Sequence, residues 1–81
     1  MGYVYVLRSS IDNRTYTGST PDLARRVAEH NGGKVAATRN RRPLQLIYSE
    51  QFSNLAIARK REKYLKTHAG RKVLAFILEN L

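Results

Sequence analysis

The chain contains no cysteine. That excludes disulfide staples and thiolate metal sites, so the fold must rest on packing alone, as suits a reducing compartment. Acidic residues are scarce: six Asp and Glu stand against fifteen Lys and Arg, a formal net charge of +9. No cluster of acids exists for a two-metal centre. No apolar run approaches membrane length, and the opening MGYVYVLRSS is too short and too polar for a secretory signal, so a cytoplasmic protein is expected. HExxH, CxxC and a strand followed by GK[ST] are missing, which removes zincin, thiol-redox and P-loop chemistry. With two histidines and no GxSxG between a strand and a helix, a serine-type triad is not expected either.

What is present begins with charge. The basic residues are spread along the chain rather than held in a tail. Such a field attracts polyanions, of which nucleic acid is the commonest. No stretch combines a strong basic face with bulky apolar anchors, so a membrane surface is not the expected partner. An apolar fraction of 42% over 81 residues suffices for one modest core, and the chain reads as a single domain over residues 1–81.

Hydrophobic periodicity supplies the elements. YVYVLRSS alternates at period two and is rich in β-branched and aromatic residues, a strand pattern. Asp12 and Asn13 favour a turn, and TYTGS returns, making a hairpin over residues 3–19. Thr20 is expected as a helix N-cap, Pro21 as the first helical residue, Asp22 near the positive end of the dipole and Gly32-Gly33 as the stop. KVAATRNRRP reads as a basic loop and Leu44 to Phe52 as a third strand. A helix is expected from Ser53 or Asn54 to a stop at Gly70. A last helix follows, with Val73, Leu74, Ile77 and Leu81 as its core stripe. The order ββαβαα defines an α+β fold, a three-stranded sheet whose faces the helices must cover.

Helical spacing in LARRVAEHN puts Val27 and His30 on the face of Leu23, Arg26 at its edge and Arg25 opposite. Arg26 and His30 are also i,i+4 neighbours. His30 reads either as a functional imidazole or as a core-edge histidine satisfied by a carbonyl. Arg26 reads as an anion clamp or as a flanking side chain whose head reaches water. In the second helix Ala58 and Leu65 mark an apolar face with Glu62 between them. Glu62 is an acid among Arg59, Lys60, Arg61, Lys63 and Lys66, and its plain reading is an i,i+4 ion pair with Lys66. Lys34, Arg39, Arg41 and Arg42 in the loop, together with Lys66, form a candidate nucleic-acid-binding set. The alternative for the loop is a solvated surface segment.

Tyr5 closes YVY, ten residues separate it from Tyr16 at the head of YTG, Arg26 follows ten positions later, and His30 and Glu62 come after. With LARRVAEHN, TRNRRPLQLIYSE, ARKREKYLKT and GRK, this pattern resembles the GIY-YIG nuclease domain over nearly the whole chain. More narrowly it is similar to small stand-alone bacterial members related to the nuclease domain of the excision-repair incision subunit. The resemblance implies a central three-stranded antiparallel sheet flanked by helices, and cleavage of DNA phosphodiesters with one divalent ion, Mg²⁺ or Mn²⁺. It assigns Tyr5 and Tyr16 to the two motif tyrosines and Gly18 to the motif glycine. It further assigns Arg26 to the catalytic arginine, Glu62 to the metal-binding glutamate and His30 to a position that members fill with His or Tyr. Tyr5 is then favoured as the base that deprotonates water, with Tyr16 or His30 relaying protons or orienting that water. The first motif lacks the Gly and Ile of the family name, Ser19 stands where some members carry Lys, and His68 is the nearest candidate for a polar residue found after the Glu. The implied activity is nicking, structure-selective or weakly sequence-specific, or guided by a protein partner, in DNA repair or recombination. The alternative is a catalytically silent nucleic-acid-binding module of the same fold.

Overall fold

The computed structural model describes residues 1–81. Strands β1 (Gly2–Ser9), β2 (Thr15–Thr20) and β3 (Leu44–Phe52) form one antiparallel sheet with β1 in the centre, in the order β2-β1-β3. Helices α1 (Leu23–Asn31), α2 (Leu55–Leu65) and α3 (His68–Glu79) complete the ββαβαα order. This is the α+β fold expected, and the third strand agrees with the sequence reading at both ends. No helix is long and apolar enough to cross a membrane.

The pleat of β1 sorts its side chains into two cores. Val4 and Val6 pack with Ala58, Leu65 and Leu74 under α2 and α3. Tyr5 and Leu7 pack with Leu44, and Tyr16, Leu23 and Val27 close over them from β2 and α1. Neither face of the sheet is therefore left to water along β1, and Val4, Val6 and Leu7 are wholly buried. The β1–β2 turn is made possible by Asn13, whose φ of 60° is a left-handed conformation that asparagine tolerates.

Four local expectations are corrected. Asp22, not Thr20, caps α1: its backbone is extended and its carboxylate accepts the amide of Arg25 at 3.1 Å. Thr20 ends β2, nearly buried, and its Oγ1 accepts the Asp22 amide at 3.1 Å. Pro21 therefore precedes the cap rather than opening the helix. Gly70 does not stop α2, which ends at Leu65 with Lys66 as its C-cap. Thr67 caps α3 by accepting the Gly70 amide at 3.1 Å, and Gly70 lies buried inside the first turn of α3. It is glycine because a Cβ there would run into the Tyr64 carbonyl, with the Tyr64 carbonyl carbon at 2.5 Å. Finally, Leu81 does not join the core stripe, being 72% exposed, whereas Leu74 is buried and Leu78 packs on the core.

The basic loop is more ordered than its composition suggests. Arg39–Arg41 form a 3₁₀ turn. Ser9 Oγ donates to the Arg41 carbonyl at 2.7 Å, and Arg41 Nε reaches Asp12 at 3.2 Å. Asn31, the last residue of α1, brackets Leu44 with both side-chain atoms, at 2.8 and 2.9 Å. The loop thereby ties the end of α1 to the start of β3 and fixes His30 against the sheet.

Candidate active site

Tyr5 is presented by the central strand, directly opposite Gly18 of β2 in register. Its phenol lies where a Cβ on residue 18 would sit: that atom would be 2.6 Å from Tyr5 Cζ. The motif glycine thus makes room for the motif tyrosine. The Tyr5 hydroxyl is 2.9 Å from His30 Nε2, and Arg26 Nε donates to it at 3.4 Å. Arg26 and His30, one turn apart on α1, converge on one oxygen. The rings of Tyr16 and His30 lie 5.1 Å apart and those of Tyr5 and Tyr16 6.4 Å.

Tyr5 and His30 are at most 1% exposed. Burial pushes the Tyr5 phenol above its ordinary pKa of 10.0, against the pull of Arg26. Burial, reinforced by the Arg26 charge, lowers His30 below 6.5 and keeps the imidazole neutral near pH 7. Tyr5 is therefore a held, protonated group deep in the site, not one that solvent reaches. Tyr16 differs: its hydroxyl has no protein partner, yet Arg41 Nη2 is the one buried side-chain polar atom left unpaired, so the Tyr16 hydroxyl meets solvent. It stands in a groove with Lys66, whose ammonium lies 5.8 Å from the Tyr16 ring centroid.

Arg26 Nη1 also pairs with Glu29 at 3.1 Å, while Nη2 has no partner and is open to a ligand. Arg25, on the far side as expected, is a solvated charge that reaches Glu29 at 3.5 Å.

Glu62 approaches from the other face of the sheet. Ser19 Oγ donates to its Oε1 at 2.5 Å, and Lys66 Nζ to its Oε2 at 2.6 Å. Burial resists the charge, but the Lys66 and Ser19 hydrogen bonds outweigh it and hold the carboxyl below its ordinary 4.5. Ser19 is the meeting point. It lines one cleft with Arg26 and Glu29 and another with Arg59 and Glu62. Guanidinium and carboxylate, coming from opposite faces, thus both open at the edge strand β2.

No group of three or more His, Cys, Asp or Glu side chains is placed to hold a metal ion. The donor set fits one case, a largely hydrated Mg²⁺ or Mn²⁺ on a single carboxylate. Binding at Oε2 would require the Lys66 ammonium to move off, while Ser19 keeps Oε1.

Of the candidate nucleic-acid contacts, Lys34 is exposed and unpaired. Arg39 Nε donates to the Gly33 carbonyl at 3.0 Å and Arg42 Nε to the Arg39 carbonyl at 2.8 Å, both exposed. Arg41 is instead committed to Asp12. His68 opens α3, exposed and without a side-chain partner. Sequence reasoning missed Glu29 and the contacts of Ser19 and Thr38. The last lies 2.8 Å from His30 Nδ1, eight residues along the chain, and no local spacing betrays such a pair.

The profile of the GIY-YIG catalytic domain matches residues 1–73. A UPF0213 protein from Staphylococcus haemolyticus is 42% identical over 78 residues, covering 95% of this chain and 94% of that protein. One from Natronomonas pharaonis is 46% identical over 66 residues, covering 80% and 76%. The solution NMR structure of a UPF0213 protein from Bacillus halodurans superposes with a TM-score of 0.56 at 32% identity, over 95% of this chain and 85% of that one. With tyrosines facing an arginine and a glutamate across an edge strand, and with these relatives, the chain belongs to the GIY-YIG catalytic-domain family, among its small UPF0213 members.

Proposed function

We propose that the chain is a divalent-metal-dependent DNA endonuclease that nicks one strand, in DNA repair or recombination. Family membership implies an endonuclease-type function. The observation that carries the finer reading is the meeting at β2 of the open Arg26 Nη2, the solvent-facing Tyr16 hydroxyl and the ionised Glu62.

A phosphodiester resists attack because the nucleophile meets negative charge. Arg26 clamps a non-bridging oxygen through Nη2, while Tyr5 and Glu29 hold the other two guanidinium nitrogens in place. Tyr16 contacts the attacking water and is the tyrosine placed to take its proton. His30 and Tyr5 form the buried support behind Arg26. Glu62 would hold the Mg²⁺ or Mn²⁺ ion, which supplies Lewis-acid neutralisation of charge on the leaving oxygen. Arg59, Lys60 and Lys63 beside Glu62, and Lys66 and Arg71 beside Tyr16, supply charge for the DNA backbone on either side of the site. A specific interface of about 600–1,000 Å² would have to share this small chain's surface with the catalytic cleft, which suits structure-selective or weakly specific cutting, or specificity lent by a protein partner.

One observation favours the alternative, a silent nucleic-acid-binding module: Lys66 occupies the Glu62 oxygen that a metal ion would need. Incubation of supercoiled and branched DNA with the chain and Mg²⁺ or Mn²⁺ decides. Nicked product that disappears with chelator, with Arg26→Ala and with Glu62→Ala supports the endonuclease. Binding without cutting by every preparation supports the module.

A further inference from the structure

Lys66, the C-cap of α2, belongs to two clefts at once. It lines the groove of Thr15, Tyr16, Thr17 and Arg71, with its ammonium 5.8 Å from the Tyr16 ring centroid. The same ammonium donates to Glu62 Oε2 at 2.6 Å, and Glu62 lines the other cleft with Ser19, Arg59, Lys60 and Lys63. Of the basic side chains around Glu62, Lys66 is the one that bonds to it; Arg59, Lys60 and Lys63 make no ion pair.

With Ser19 on Oε1 and Lys66 on Oε2, both carboxylate oxygens are engaged in the free chain. The two bonds differ in how firmly they hold. Ser19 is fixed by the sheet, opposite Val4 in register. Lys66 is 48% exposed, and a half-exposed i,i+4 pair carried on a flexible four-carbon stem is weak and breaks readily. An ammonium bonds a phosphate oxygen as it bonds a carboxylate. A DNA strand in the Tyr16 groove brings phosphates to Lys66 and so competes with Glu62 for it. Oε2 is then released when DNA is seated, and not before.

We infer that Lys66 is a movable counter-charge shared between Glu62 and the DNA backbone: it closes the carboxylate in the free chain and opens it when drawn to a phosphate, so that DNA binding and divalent-ion binding favour one another. The inference rests on the endonuclease reading above for the groove as the path of DNA and for Glu62 as the ligand of the ion. The coupling is bounded by the strength of the ion pair that breaks, which for an exposed pair amounts to about two- to five-fold in affinity. The same device removes the objection that Lys66 raises against a metal site: the pair is the resting state of the carboxylate.

The test is Mn²⁺ binding to the intact chain without DNA, followed by electron paramagnetic resonance. Lys66→Met should bind Mn²⁺ about two- to five-fold more tightly than the wild type. Lys63→Met, which removes a charge from the same cleft but no ion pair, should change it less, and Glu62→Gln should lose the site. A second measurement needs neither metal nor cutting. In chelator, a short DNA duplex should shift the Glu62 carboxyl ¹³C resonance, assigned with Glu62→Gln, toward its position in Lys66→Met. Equal Mn²⁺ affinity in the wild type and Lys66→Met, or a gain no larger than that of Lys63→Met, overturns the inference. So does a Glu62 resonance that saturating DNA leaves unmoved. Mn²⁺ bound at Glu62 by neither chain overturns the metal-dependent reading together with it. Both results as expected from a chain that never cuts would support the coupling and overturn the endonuclease reading alone.

Discussion

Ser19 Oγ stands 2.5 Å from Glu62 Oε1, and this one hydrogen bond joins the edge strand to the helix carrying the site's carboxylate. Because a charged acceptor strengthens it, Ser19→Ala should cost about 1.5–3 kcal/mol of stability before screening at this partly open position reduces the figure. The same change should move the Glu62 carboxyl up toward 4.5, read by carboxyl ¹³C titration. With its folded pKa depressed, Glu62 stabilises above the unfolded value and loses that contribution as pH falls through the folded one. An unchanged titration in Ser19→Ala would show that Lys66 alone holds the charge.

Removing the guanidinium should separate binding from cutting. Arg26→Ala is expected to lower nicking about 10²- to 10³-fold, as for the loss of one preorganised donor. DNA affinity should change little, since one charge among fifteen basic residues is lost. Gel-based nicking rates beside fluorescence binding curves check it. Equal losses in both would place Arg26 in binding alone.

Gly18→Ala puts a methyl group onto the Tyr5 ring, 2.6 Å from Cζ. Overpacking of this kind destabilises by about 1–3 kcal/mol. Since Tyr5 must swing away from His30 and Arg26, cutting should fall further than stability does. Thermal melting and nicking rate measured together test this; a variant with normal rate and lowered melting point would confine Gly18 to packing.

Stability should decline on mild acidification. His30 titrates below 6.5 in the folded chain and near 6.5 when unfolded, so below that value the unfolded state binds more protons and stability falls with pH. The decline runs from about pH 6.5 down to the folded pKa of His30 and then levels. Melting points from pH 7.5 to 5, in the wild type and in His30→Gln, should show a slope in the first that flattens in the second.

A second, partly buried charge system is formed by Glu50, Arg61 and Tyr48. Glu50 on β3 accepts Arg61 through both oxygens, at 2.9 and 3.1 Å, and the Tyr48 hydroxyl at 2.6 Å. Burial and the adjacent carboxylate push Tyr48 up to about 12. Arg61→Met leaves Glu50 without its cation in a largely enclosed position and should cost about 1–3 kcal/mol. Nicking rate per folded molecule should stay unchanged; a specific loss of rate would make Arg61 part of the DNA-contacting surface.

The strands were legible because their information is local. Alternation in YVYVL and in LQLIY, with Asp12-Asn13 between the first two strands, specifies pleat and turn without help from distant parts. Gly70 was misread because glycine after a helical run ordinarily marks a stop, whereas its reason here is the Tyr64 carbonyl on the neighbouring helix. Asp22 displaced Thr20 as cap because β2 runs one residue further than the hairpin pattern indicates and uses Thr20 as its end. Tyr5, Tyr16, Arg26, His30 and Glu62 were singled out through motif resemblance, since composition alone left Glu62 as a surface ion pair. Ser19, Thr38 and Glu29 act through contacts between separate elements or as a counter-charge on an already charged helix. Neither leaves a periodic trace.

The strand bearing Tyr16, Gly18 and Ser19 has a neighbour on one side only. Its outer row of amides and carbonyls runs past the very groups that would meet a phosphate. A second polypeptide annealing along that row, as exposed borders of sheets invite, would cover the groove beside Tyr16. Self-association through this border and access of a nucleic acid to the groove would therefore exclude one another.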